Sequence, residues 1–203
     1  MVDLPSGKMK SREGTVVDAD DLISSMINKS KTISESLGKI NDLDELEKNK
    51  LYKTIAMGAL KYHILKVDPK KKILFSPDES IDFNGNTGPF IQYTYARIKS
   101  ILYKNNNISI EFNNIKLAQK EKELIIMLCE FKNVLDNSVK ALNPSLIANH
   151  IYELVKLYNS YYQSHTILGD KNINSFRVFL SEKVAFQIEK SMALLGVSVP
   201  DRM

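Results

Sequence analysis

Apolar residues recur along this chain at spacings of three and four positions, the periodicity of an α-helix with one buried face. The clearest case begins at residue 51, where spacings of four, four, three and three predict a helix. Its apolar face consists of Leu51, Ile55, Ala59, Tyr62 and Leu65. Gly58 lies beside this face and has no side chain, so we expect a neighbouring element to approach closely there.

The same periodicity predicts further helices on both sides of this one. The first runs from a cap at Asp18 or Asp20 towards residue 33, and Asp42 is expected to cap the next short turn. Another follows Pro89, whose missing N–H suits a first turn, and a later one starts at Asn143. The last ends at Gly196. Their apolar stripes are Ile91, Tyr95, Ile98 and Leu102, then Leu117, Leu124, Leu128, Phe131 and Leu135, then Ile147, Ile151, Leu154, Val155, Tyr158, Tyr161 and Tyr162, and finally Leu180, Val184, Ile188, Met192 and Leu195.

Three stretches lack helical periodicity and are predicted to be loops. Residues 1–17 contain Pro5, Gly7 and Gly14, and residues 68–89 contain three prolines and two glycines. Asn105, Asn106 and Asn107 end another helix. Short extended pieces are expected at residues 73–75 and 108–112. With so little strand pattern, the chain is predicted to be all-α.

The composition of the chain indicates its cellular compartment. The 43 % hydrophobic and 26 % charged content is typical of a globular protein in water, and no apolar run approaches the roughly 20 residues of a membrane span. The N-terminus lacks a secretory pattern. A single cysteine, Cys129, lies in an apolar helical pattern and is interpreted as a core residue in a reducing compartment. We therefore expect a cytoplasmic protein without membrane partners.

Side chains with catalytic or metal-binding chemistry are dispersed in the sequence. His63, His150 and His165 lie far apart, so no metal site is predicted, and His150 is interpreted as a satisfied, partly buried histidine. Glycine-rich phosphate loops and a nucleophile elbow are absent from the sequence. Glu121 and Glu123 are expected to be solvated. No complete active site is therefore predicted.

Two segments are unusual for a plain helical bundle. In residues 8–14, cations alternate with other residues next to a glycine, which suits binding of a polyphosphate, and the alternative is a solvated surface. Residues 82–93 are glycine-rich and lead into a helix whose polar face carries an aromatic ring and cations. Such a face suits stacking on an unpaired base with a nearby phosphate contact, and the alternative is a surface tyrosine under basic side chains. The members of this face are Tyr93, Arg97, Ser100 and Lys104.

These segments resemble conserved blocks of the arginyl-tRNA synthetases. Residues 8–21 (KMKSREGTVVDADD) are similar to the signature loop of the family, its version of the class I KMSKS motif. Residues 82–98 (DFNGNTGPFIQYTYARI) are similar to the segment that leads into the anticodon-binding domain. Residues 143–152 (NPSLIANHIY) and the terminal LLGVSVPDRM match two further blocks in the expected order.

The resemblance implies an architecture. A signature loop occupies residues 1–17, a helical segment follows at 18–75, a linker at 76–87, and a helical anticodon-binding bundle of the DALR type at 88–203. The motif that names this domain has its nearest counterpart at residues 175–180, where only Arg177 stands out.

The resemblance also implies a reaction for the whole enzyme. ATP, with Mg²⁺, activates arginine, and the arginyl group then passes to arginine tRNA. The signature loop would stabilise pyrophosphate through Lys8, Lys10, Ser11 and Arg12, and Ser11 stands where the motif has its second lysine. A HIGH-type motif is absent from the sequence. We therefore expect the catalytic domain to precede Met1, and the fragment alone to bind no cofactor and to be inactive.

The expected partner of the fragment is arginine tRNA. The protein is expected to be a monomer and to contact the tRNA through five residues. The candidates for tRNA contact are Tyr93, Arg97, Asn149, Tyr152 and Met203. The alternative, which periodicity alone suggests, is a helical module that binds another protein and has no role with RNA.

Overall fold

The computed structural model describes residues 2–3, 18–38, 40–104, 116–168 and 175–203. These residues are mainly helical, with one short pair of strands, which confirms the all-α prediction. The elements in chain order are β1 (Val2–Asp3), α1 (Ala19–Leu37), α2 (Glu45–Leu65), β2 (Ile73–Leu74), α3 (Pro77–Ser80), α4 (Gly88–Tyr103), α5 (Gln119–Ala141), α6 (Ser145–Ser164) and α7 (Ser175–Leu194).

Short polar side chains cap α1, α2, α3 and α4, whereas α5 and α6 begin without a side-chain cap. Asp18 caps α1 by accepting from the N–H of Asp20, as predicted. At α2 the cap is Asp44, which accepts from Glu47 N–H while the Glu47 carboxylate accepts from Asp44 N–H. The prediction that Asp42 caps this turn is wrong, because the Asp42 carboxylate instead forms an ion pair with Arg202 near the C-terminus.

Helices α4, α5, α6 and α7 enclose the main hydrophobic core, and the end of α2 packs on it. The predicted stripes of α4, α6 and α7 lie in this core apart from Tyr162, with Ile98, Leu154 and Ile188 fully buried. Helix α1 packs on another face of α2 through a smaller cluster that contains Met26, Ala56 and Ala59. Helix α2 therefore contacts both α1 and the four-helix bundle.

Helices α2 and α4 approach each other closely at Gly58, as the sequence predicted. A Cβ atom on Gly58 would overlap the Gln92 side chain, and a Cβ atom on Gly88 would overlap the carbonyl of Gly58. The buried Gln92 side chain fills the space beside Gly58, and its Nε2 donates to the carbonyl of Thr54 at 3.1 Å. Any larger residue at 58 or 88 would push the helices apart.

Two sequence expectations about side chains of α5 are wrong. Cys129 is exposed, because it lies on the side of α5 that points away from α6 and α7. Glu121 is buried and not solvated, because its carboxylate meets an arginine of α7. In both cases the orientation of α5 in the bundle decides the environment, and this orientation cannot be read from local spacing.

Two short elements were not predicted. The sequence predicts a loop at residues 1–17, yet Val2–Asp3 pairs in parallel with Ile73–Leu74. The irregular stretch after residue 68 also contains α3, which begins at Pro77 behind a Ser76 cap. The strand pair joins residues about 70 positions apart, so local pattern does not reveal it. The strand expected at residues 108–112 lies outside the described residues.

Replacing Gly58 with alanine is expected to lower the free energy of unfolding by about 1–3 kcal/mol, because the added methyl overpacks the contact with Gln92. In an unconstrained helix the same change would stabilise by roughly 0.5–1 kcal/mol. Urea unfolding followed by circular dichroism measures the sign. Lys53→Ala, on the exposed side of the same helix, is the control and should be nearly neutral. A more stable Gly58→Ala variant would contradict the contact.

Candidate nucleic-acid interface

The polar face predicted on α4 lines an open groove of about 1180 Å³, here called the α4 groove. Its walls are α4, the end of α6 and the C-terminal residues. The lining residues are Tyr93, Ala96, Arg97, Lys99, Ser100, Ile101, Tyr103, Lys104, Tyr162, Gln163, Leu168, Asp201, Arg202 and Met203. Three of the five residues predicted to contact tRNA, Tyr93, Arg97 and Met203, therefore lie together.

Arg97 is held between the two helices of the groove. Its Nη1 donates to Asn159 Oδ1 of α6 at 2.6 Å. The guanidinium carbon lies 4.9 Å from the ring centroid of Tyr93 and 5.2 Å from that of Tyr162, which is within the range of cation–π attraction. The guanidinium therefore connects an aromatic ring on α4 with one on α6.

Both tyrosine rings are supported from behind. The Tyr93 ring meets Phe83 edge to face at a centroid distance of 6.2 Å, and Tyr162 stacks on Tyr158 at 6.5 Å. Tyr158 is buried, and burial raises its pKa to about 12, so its phenol stays neutral under the stack. Tyr162 is 38 % exposed and presents ring surface to the groove. Sequence reasoning assigned Tyr162 to the core stripe, although it lies one position past the buried Tyr161.

The C-terminal residues form the third wall and are tied down along their length. Lys61 Nζ donates to the carbonyl of Gly196 at 2.7 Å, and Gln92 Nε2 donates to that of Ser198 at 2.8 Å. Asp201 pairs with Lys99 at 3.4 Å. Met203 packs on the cluster around Tyr52. The terminal methionine is thus placed beside α4 by contacts with α2 and α4.

The charge of the described groove lining is mainly positive. Arg97, Lys99, Lys104 and Arg202 contribute cations to the lining, and Asp201 contributes a carboxylate that pairs with Lys99. Arg202 also pairs with Asp42, which is not among the lining residues. An open basic groove with exposed aromatic rings matches what single-stranded nucleic acid requires, namely ring faces for bases and cations for phosphates. Lys99 and Arg202 were missed by the sequence analysis, because their relation to the groove depends on the fold of the C-terminal residues.

The two other predicted contact residues lie elsewhere on α6. Asn149 Nδ2 donates to the carbonyls of Lys66 and Ser145 at 3.1 and 2.8 Å, next to Asn86. The Tyr152 ring lies 6.1 Å from the Phe90 ring. Both residues lie near the start of α4 and do not line the groove, so the structure does not bring them together with Arg97.

Arg177 lies on α7, and its contacts join three helices. Its Nε donates to Glu121 Oε1 at 2.9 Å, and its Nη1 donates to the carbonyl of Thr166 at 3.0 Å. The hydroxyl of Tyr161 donates to Glu121 at 3.3 Å, and the N–H of Ala118 donates to the same carboxylate at 2.7 Å. The pair therefore fixes the start of α5 and the chain that carries Leu168 to the groove.

Other chemistry is sparse in the described part of the chain. Lys8, Lys10, Ser11 and Arg12, predicted to bind pyrophosphate, lie outside the described residues. Within the described ranges, no group of three or more histidine, cysteine or acidic side chains converges as metal ligands would. No described helix is both long and apolar enough to cross a bilayer. His150 is partly buried beside Phe131, but its Nε2 has no partner among the described residues, and burial lowers its pKa.

The family of this chain follows from comparison with known proteins. Residues 91–203 match the family model of the DALR anticodon binding domain, and the chain belongs to that family.

Two curated relatives of this chain are arginine–tRNA ligases. The chain is 57 % identical over 206 residues to the arginine–tRNA ligase of Flavobacterium psychrophilum, and 50 % identical over 210 residues to that of Phocaeicola vulgatus. Both alignments cover the whole chain and 34 % and 35 % of the relatives. The chain thus spans about a third of the length of the curated relatives it matches.

Solved structures agree on the fold. The arginyl-tRNA synthetase of Thermus thermophilus superposes with a TM-score of 0.89 at 23 % identity, covering 100 % of this chain and 34 % of that one. The enzyme from Plasmodium falciparum gives a TM-score of 0.78 at 23 % identity, with coverage of 92 % and 34 %. At this identity the likeness concerns the arrangement of helices.

Replacing Glu121 with alanine is expected to cost about 3 kcal/mol of unfolding free energy, because it removes the carboxylate that pairs with Arg177 in a largely buried site. Chemical denaturation measures the loss. Glu130→Ala, an exposed carboxylate on the same helix, is the matched control and should change stability by less than about 0.5 kcal/mol. Equal effects of the two changes would show that the pair does not hold the three helices together.

Proposed function

We propose that this chain binds the anticodon region of arginine tRNA and that the α4 groove is its main contact surface. One observation carries the proposal. Two tyrosine rings and the Arg97 guanidinium lie together at the open face between α4 and α6, among further cations. Membership of an anticodon-binding family and the names of the similar proteins support the choice of partner.

The anticodon is single-stranded and exposes the faces of its bases. Stacking of a base on an aromatic side chain contributes about 1–3 kcal/mol, and this contribution depends on ring exposure. Tyr93 and Tyr162 supply such rings. Lys104 lies in the same lining to meet the backbone, and Lys99 and Arg202 can join it by exchanging their carboxylate partners, Asp201 and Asp42, for phosphates. The surface that α7 presents carries Glu182 and Glu189 beside Lys183 and Lys190, so its charges balance, and it attracts a polyanion less.

The whole protein is proposed to be an arginyl-tRNA synthetase of the cytoplasm, acting on ATP, arginine and arginine tRNA as a monomer. Residues 1–17 would supply the signature loop, with Lys8, Lys10, Ser11 and Arg12 near pyrophosphate. Residues 18–75 would form the helical segment, 76–87 the linker and 88–203 the RNA-binding bundle. Asn149 and Tyr152 are proposed to contact the tRNA outside the groove.

Tyr93→Ala is expected to weaken binding of an arginine tRNA transcript by about five- to a hundredfold, the range that corresponds to one lost base stack. Fluorescence anisotropy with labelled transcript measures the dissociation constant at several salt concentrations. Affinity of the unchanged chain should fall steeply as salt rises, because phosphate contacts release counterions. The slope should change little in the variant, since tyrosine carries no charge.

The control for this experiment is Phe186→Ala, because Phe186 is an aromatic residue that is 56 % exposed on α7 and does not line the groove. It should leave the affinity unchanged. Equal affinity of the unchanged chain for arginine tRNA and for an unrelated tRNA would contradict specific recognition. Loss of tRNA binding in Phe186→Ala but not in Tyr93→Ala would place the RNA contact on α7 and contradict the α4 groove. Failure of the unchanged chain to bind any tRNA would favour the alternative of a helical module that binds another protein.

A further inference from the structure

Asn159 lies behind the α4 groove and makes three hydrogen bonds through one amide group. Its Nδ2 donates to the hydroxyl of Thr94 at 2.8 Å and to the carbonyl of Val155 at 3.0 Å. Its Oδ1 accepts from Arg97 Nη1 at 2.6 Å. The Thr94 hydroxyl in turn donates to the carbonyl of Phe90 at 3.0 Å. The amide therefore links α4 and α6.

These partners leave the Asn159 amide a single orientation. Both of its N–H groups face acceptors, and its oxygen faces the guanidinium, which can only donate. A rotated amide would place the NH₂ group against Arg97 and the oxygen against the carbonyl of Val155. Thr94 is fully buried, so this arrangement is anchored in the bundle and not in the groove itself.

The consequence falls on Arg97. An arginine side chain on a helix surface samples many rotamers, and ordering it on binding costs free energy. Here the Asn159 oxygen fixes one edge of the guanidinium, while the rings of Tyr93 and Tyr162 restrict its plane. A fixed planar donor matches two adjacent acceptor atoms better than a mobile charge does.

We propose that Asn159 is a positioning residue for RNA recognition. It holds the Arg97 guanidinium in the orientation that donates to a pair of adjacent acceptors on unpaired RNA. The inference rests on the proposed RNA-binding function and adds to it the residue that sets the geometry of the groove. The acceptor pair belongs either to a base edge or to a backbone phosphate, and both share the same chemistry.

A double-mutant cycle on the full chain tests this role. The four proteins are the unchanged chain, Asn159→Ala, Arg97→Ala and the double variant, with arginine tRNA transcript as the probe. Asn159→Ala is expected to weaken binding about three- to tenfold, the range that corresponds to the net contribution of one ordinary hydrogen bond. The double variant should bind as weakly as Arg97→Ala alone, because Asn159 acts only through Arg97.

An additive cycle, in which Asn159→Ala costs the same factor with or without Arg97, would overturn the proposal, as would no loss in the single variant. Thermal unfolding of each protein reports any general structural damage. If Asn159→Ala folds poorly, Thr94→Val replaces it, since it removes the acceptor of the Asn159 amide and keeps the shape of the side chain. A smaller loss that again requires Arg97 is then expected, and an additive loss overturns the role.

Two further arms identify the acceptor and separate the two hypotheses. If Arg97 contacts a phosphate, Arg97→Ala lowers by about one the slope of log affinity against log salt concentration. If Arg97 contacts a base, transcripts with single anticodon substitutions, which the unchanged chain binds with different affinities, bind Arg97→Ala with equal affinity. If the unchanged chain binds no tRNA, the proposed function fails. If it binds, and Arg97→Ala weakens binding while the cycle stays additive, only the role of Asn159 fails.

Discussion

The close approach of α2 and α4 is the contact on which the rest of the structure depends. Gly58 and Gly88 let the two helices meet without side chains between them, and Gln92 fills the remaining space. The Gln92 amide donates to the carbonyls of Thr54 on α2 and Ser198 in the C-terminal residues. Three separate parts of the chain are thereby joined at one buried glutamine.

This junction also sets the geometry of the α4 groove. Tyr93 follows Gln92 directly, and Arg97 lies just over one turn further along the same helix, so fixing Gln92 fixes the direction of both. The C-terminal residues, held at Gly196 by Lys61 and at Ser198 by Gln92, bring Asp201, Arg202 and Met203 to the opposite wall. A surface that would bind RNA is therefore built on contacts that lie beneath it.

Much of this fold could be predicted from the sequence, since each long helix buries a stripe of apolar residues that recurs at helical spacing. The Gly58 contact was predicted because a glycine lies beside the apolar face of a predicted helix. The environments of Glu121 and Cys129 were not, because they depend on how α5 is turned in the bundle. In the groove, helical spacing identified Tyr93 and Arg97. It could not identify Asn159 or Arg202, whose relation to Arg97 and the groove arises only from tertiary packing.

The central claim is that the α4 groove is where RNA binds, and photo-crosslinking tests it most directly. Arginine tRNA carrying 4-thiouridine at single anticodon-loop positions would be bound to the full chain, irradiated and digested, and the crosslinked peptides identified by mass spectrometry. Crosslinks are expected in peptides that contain Tyr93, Tyr162 or the C-terminal residues. Crosslinks confined to the outer surfaces of α5 and α7, with none in those peptides, would contradict the claim.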